Sequence, residues 1–181
     1  LTALLVFDGW GQATFTWNFG TRSGNAAPSG SLANVTVGSV TQGNNNGTTT
    51  LLTTASASSG YTGASGAYNA GAAARTGALN TASTGSAYFE FIVTPTSGQI
   101  VNLSSISFGT RSTSTAPQAY TLRSSFDSYA SDIATGTISN TATWALKSNS
   151  NLTFTGTAGT AVTFRIYGYG GTGSASANTA N

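Results

Sequence analysis

Four carboxylates, Asp8, Glu90, Asp127 and Asp132, and six cations, Arg22, Arg75, Arg111, Arg123, Lys147 and Arg165, are all the charge that this 181-residue chain carries. It contains no His, Cys or Met. Most enzyme mechanisms need a group that titrates near neutrality, a nucleophile beside a base, or a metal held by soft or anionic ligands. A glycosidase pair needs two carboxylates roughly 5 to 10 Å apart, and Glu90 has only the three aspartates to choose from. Glu90 lies on a strand face opposite Phe89 and Phe91, which reads as a cross-strand ion pair with Arg165 or Arg123. Asp127 and Asp132 match no calcium-loop spacing and read as turn-capping side chains. The inventory therefore predicts no catalytic residue, no metal site and no cofactor.

Arg165, Tyr167 and Tyr169 fall on one face of the segment AVTFRIYGY, opposite Val162, Phe164 and Ile166. Together with Arg123 they form the best candidate for a glycan-binding face, since tyrosine rings stack on sugars and guanidinium groups bond their hydroxyls. The competing reading is cross-strand packing or a subunit interface, where Tyr and Arg are equally at home. The cations are scattered and form no basic patch, so nucleic acid is not an expected partner. No apolar run approaches the length of a membrane span. Sequons at Asn34, Asn46, Asn102 and Asn151 are no more frequent than chance allows in a chain so rich in Asn, Ser and Thr. The Thr-rich stretch 48–54 lacks the repeat that a flat ice-binding array needs.

Alternation of apolar and polar residues marks the strands. Residues 13–19 (ATFTWNF), 88–94 (YFEFIVT), 101–111, 119–125 and 161–169 carry the strongest pattern. Residues 34–40, 48–54, 141–146 and 151–155 carry a weaker one. Residues 112–118 are predicted to join 101–111 to 119–125 as a hairpin. In that register Ile106, Phe108, Tyr120 and Leu122 share one face, and Arg111 and Arg123 the other. Residues 55–87, biased to Ala, Ser, Gly and Thr around Tyr61 and Tyr68, read as a long loop with a short helical turn at 72–76. Residues 126–136 read as a loop or helical turn around Asp127 and Asp132. Together these predict an all-β fold, an antiparallel, jelly-roll-like β-sandwich of about eight to ten strands. A single sandwich domain over 13–181 follows an apolar N-terminal extension over 1–12. Residues 1–7 (LTALLVF) could end a secretory signal, but read better as a strand kept in the mature protein.

The segments Ser105-Ile-Ser-Phe-Gly-Thr-Arg111, Tyr120-Thr-Leu-Arg-Ser-Ser-Phe-Asp127 and Thr163-Phe-Arg-Ile-Tyr-Gly-Tyr-Gly170 resemble a broad group of secreted bacterial β-sandwich proteins. Many of that group carry PEP-exosortase sorting signals or related surface anchors. The resemblance covers residues 13–175 and is specific to the fold rather than to an activity. Ser128 stands where the group often has Gly. A final strand of the type Trp-Arg-Ile-Asp-Asp, usual in the group, does not occur before Asn181. A sandwich lacking one strand would expose an apolar groove and an unpaired edge.

The resulting expectation is a non-enzymatic extracellular or cell-surface protein. Its role would be as a subunit of a filament, biofilm matrix or surface layer held by β-strand complementation between copies. Leu1, Leu4, Leu5, Val6 and Phe7 are the candidate assembly strand, pairing either in the same chain or in a neighbouring copy. The alternative is a carbohydrate-binding or adhesive module that retains polysaccharide through Arg165, Tyr167, Tyr169 and Arg123.

Overall fold

The computed structural model describes residues 1–7, 11–20, 26–54, 57–64, 66–75, 77–172 and 178–180, and for 2–7 and 178–180 the backbone alone. Asp8, Arg22 and Thr76 lie outside the described residues. The chain forms β1 (Thr2–Phe7), β2 (Gly11–Thr16), β3 (Val35–Val37), β4 (Thr41–Gly43), β5 (Leu52–Thr53), β6 (Asn69–Ala70), β7 (Ala72–Ala74) and β8 (Tyr88–Pro95). These are followed by β9 (Asn102–Thr110), β10 (Ala119–Ser124), a 3-10 turn (Ser125–Asp127), β11 (Ala134–Thr137), β12 (Ala145–Asn149), β13 (Phe154–Thr155), β14 (Val162–Tyr169) and β15 (Asn178–Ala180).

Two antiparallel sheets pack face to face. Sheet A has the order β12-β9-β1-β2, with β13 beside β12 on the same flank of β9. Sheet B has the order β11-β10-β14-β8, and β8 is flanked in series by β3 and β4. The all-β antiparallel sandwich read from the sequence is the fold observed. Of residues 1–12, set apart above as an extension, those of β1 and the start of β2 pair within their own chain: β1 lies between β2 and β9, hydrogen-bonded on both sides.

The period-2 segments place their apolar side as expected. Phe91 and Val93 of β8, Val162 and Phe164 of β14, and Leu103 and Ile106 of β9 are almost fully buried. A row of rings crosses the core: Trp17 to Phe91 at 4.8 Å, Phe91 to Phe164 at 5.3 Å and Phe164 to Phe154 at 5.0 Å between centroids. Burial of each such side chain contributes about 1.5 to 3 kcal/mol. The Trp17 indole N–H is satisfied by the Gly38 carbonyl at 3.1 Å.

Two predictions are corrected. The hairpin between β9 and β10 does not form, because β9 belongs to sheet A and β10 to sheet B. The connecting residues cross from one sheet to the other. Ile106, Phe108, Tyr120 and Leu122 still meet, but across the core, with the Phe108 and Tyr120 rings 5.0 Å apart. Alternation gives the buried face of a strand and is silent about which sheet holds it. Arg111 and Arg123 consequently do not share a sheet face. Instead the Arg111 Nε donates to the Ala142 carbonyl at 2.6 Å.

Residues 72–74 are strand, not a helical turn. Three alanines are too few to nucleate a helix. Here the Ala73 amide donates to Asn45 Oδ1 and its carbonyl accepts from the Asn46 amide, while the segment pairs with β15.

Candidate functional site

The outer face of sheet B gathers four of the chain's few charges into one row. Arg123 of β10, Arg165 of β14 and Glu90 of β8 are direct register partners across the three strands. Two like charges placed opposite each other destabilise a sheet, and each arginine has its own carboxylate. Arg165 Nε binds Glu90 Oε2 at 2.8 Å, and Arg123 Nε binds Asp132 Oδ1 at 2.6 Å.

Arg165 is held further by rings. Its guanidinium carbon sits 4.1 Å from the centroids of both Tyr88 and Tyr129, within cation–π range. Its Nη1 donates to the Tyr167 hydroxyl at 3.3 Å. Burial opposes the charge, but hydrogen bonds to Tyr167 and Glu90 outweigh it and raise the guanidinium's pKa. Burial also raises Tyr88 and Tyr129 above the ordinary phenol value, with the Arg165 charge offsetting part of the effect.

Tyr129 reaches this position through an unusual backbone. Ser128 and Tyr129 both adopt left-handed φ angles, 59° and 63°, which fold residues 128–133 back over the sheet. The Tyr129 carbonyl then accepts from Arg123 Nη1, and Asp132 accepts from Thr121 as well as Arg123. Asp127 closes the same turn. The Ser131 hydroxyl and the amides of Ser131 and Ala130 bond its carboxylate and lower its pKa. Both aspartates weighed for calcium are thus occupied by protein donors. Among the described residues no three His, Cys, Asp or Glu side chains converge as a metal site would require.

Of the candidate glycan-binding residues, Arg165, Tyr167 and Arg123 come together and Tyr169 lies at the end of β14, opposite Ala119. Tyr167 is completely buried, and the rings of Tyr88 and Tyr129 are already covered by Arg165. Arg165 covers one face of each of these two half-buried rings. The arrangement locks β8, β10 and β14 together and holds their loop down.

Of the candidate assembly strand, Leu1 packs against the core and its nitrogen bonds the Trp17 carbonyl. Leu4, Leu5, Val6 and Phe7 lie on β1, whose backbone occupies the centre of sheet A.

The sheet edges differ in a way that composition alone did not reveal. In sheet A, β12 carries Lys147, which is paired with Phe108 and so shares its face of the sheet. The outer side of β2 is lined by residues 29–32. Ser29 exchanges two backbone hydrogen bonds with Thr16, and Gly30 lies so near that a Cβ there would come within 2.6 Å of the Thr14 carbonyl. Sheet B ends in β11 (ATGT) on one side and β3 (VTV) and β4 (TQG) on the other, and none of them carries a charge. Among the described residues no strand lies beyond either end.

Comparison of the chain with family models, curated proteins and solved structures gave no match in any of the three.

Proposed function

We propose that this protein is a non-enzymatic structural subunit of an extracellular filament, matrix or surface layer, and that copies join by β-strand pairing. The observation that carries the reading is the pair of uncharged ends of sheet B, beyond which no strand lies among the described residues. Soluble proteins protect edge strands with lysines, inward-pointing charges or covering loops, and sheet A has such devices. If β11 of one copy adds to β3 and β4 of the next, sheet B continues through successive molecules. A head-to-tail contact of this kind yields a fibre where the rotation between copies does not close a ring.

Exchange of β1 between copies is the less economical joint. Withdrawing it would break the ladders to both β2 and β9, whereas addition at the ends of sheet B breaks none. The scarcity of charge supports the same reading, because little repulsion keeps copies apart.

The test is electron microscopy and light scattering of the purified chain beside a variant carrying Thr135→Lys and Thr137→Lys. Both threonines are exposed on β11, so the fold should tolerate the change. The wild type should form filaments with a repeat of one domain, and the variant should stay monomeric with an unchanged melting temperature. A wild type that remains monomeric at high concentration, or a variant that assembles equally well, would refute the reading.

A further inference from the structure

We propose that the cavity between the sheets, at the end where residues 57–64 and 66–74 cover the sandwich, binds an uncharged single-ring molecule bearing one hydroxyl. The cavity measures about 240 Å³ and is walled by the rings of Trp17, Phe19, Tyr61, Phe108, Tyr120 and Trp144. For scale, a dry apolar cavity of about 150 Å³ suffices to bind benzene.

Its dimensions are fixed by small residues. Ala72, Ala74 and Ala87 line it where larger side chains would fill it. Gly109 gives the Tyr61 hydroxyl its place: a Cβ at that position would collide with it. Tyr61 in turn lies 6.3 Å from Trp144, ring to ring. The described lining residues include no Asp, Glu, Lys or Arg side chain. The Leu1 amine also lines the cavity, but burial lowers its pKa to about 6, so above that pH a charged ligand would lose its hydration with little counter-charge to gain, which is costly.

The polar requirement comes from two lining residues. Asn69 is 4% exposed, and its Oδ1 is buried with no hydrogen-bond partner among the described residues. The Trp144 Nε1 is buried and unpartnered in the same sense. Buried polar atoms are nearly always paired, and leaving one without a partner is costly. One site thus offers an acceptor and a donor within an aromatic shell. A hydroxyl is the smallest neutral group that can donate to the first and accept from the second.

Titration of the whole chain with phenol, toluene and benzoate, read by tryptophan fluorescence and calorimetry, tests the assignment. Phenol should bind saturably with a dissociation constant under roughly 1 mM. Toluene should bind about tenfold more weakly, and benzoate not measurably. Ala74→Leu, which places a larger side chain in the cavity, should abolish phenol binding while the circular dichroism spectrum is retained. Absence of saturable phenol binding up to roughly 10 mM, or undiminished binding to a folded Ala74→Leu variant, would overturn the proposal. Should that variant fail to fold, the ligand series decides: phenol and toluene binding equally well, or benzoate binding, would overturn the hydroxyl and neutrality assignments.

Discussion

Sheet A and sheet B use a very small supply of charge in opposite ways. Sheet A holds Lys147 on an edge strand and presents Ser105 and Ser107 on the outer side of β9. Sheet B commits Glu90, Arg123 and Arg165, with Asp132 from the adjoining loop, to the middle of its outer face, and its end strands β11, β3 and β4 carry no charge. A charge engaged in the centre of a sheet stabilises packing but cannot repel a strand arriving at the edge. With six basic and four acidic residues in all, the chain has few charges to place on strand edges, and Lys147 of β12 is one that lies there.

The contrast can be broken most strongly at Arg165. Arg165→Leu removes the ion pair to Glu90, the bond to Tyr167 and two ring contacts, and leaves Glu90 without its arginine partner. It should cost about 2 to 3 kcal/mol in denaturant unfolding. A loss below about 0.5 kcal/mol would mean that the outer face of sheet B does not need its charges.

Alkaline pH probes the same face more gently. Folded Tyr88 and Tyr129 hold their protons beyond the ordinary phenol pKa. The unfolded chain ionises first, near about pH 10, so above that pH it binds fewer protons than the folded state and stability falls as pH rises. A melting series from about pH 8 to 11 should show the decline, and Tyr88→Phe with Tyr129→Phe should flatten it. An unchanged slope in that variant would place the titrating groups elsewhere.

The turn that carries Tyr129 gives a smaller effect. Ser128 occupies a left-handed conformation that favours glycine. Ser128→Gly should therefore stabilise the fold by roughly 0.5 to 1 kcal/mol. Destabilisation would show that the Ser128 side chain has a role of its own.

The smallest effect on stability, within about 0.5 kcal/mol, is expected for Lys147→Thr. Its consequence should appear in association instead. With β12 unguarded, sheet A should acquire lateral contacts that scattering detects at lower concentration than in the wild type. Equal association would mean that Lys147 does not guard the edge.

Much of this architecture was legible in the sequence, where two-residue alternation is dense. Residues 88–94 and 161–169 read directly as strands and form β8 and β14, and Glu90 reads as the partner of an arginine, which is Arg165. The assignment of β9 and β10 to different sheets was not legible, because alternation specifies a face and not a neighbour. Nothing in the sequence marks Tyr129, because its ring is brought over Arg165 by two consecutive left-handed residues, neither of them glycine. The cavity has no sequence signature because its walls come partly from a low-complexity stretch in which Tyr61 and Tyr68 are the large side chains. The edges of sheet B became visible only once strand order was known.

Amide hydrogen exchange measured across a range of protein concentrations tests the role of the sheet ends most directly. Protection should rise with concentration in β11 and in β3 and β4, and stay constant in β12. Protection that is independent of concentration at both ends of sheet B, or that rises in β12 instead, would contradict assembly through sheet B.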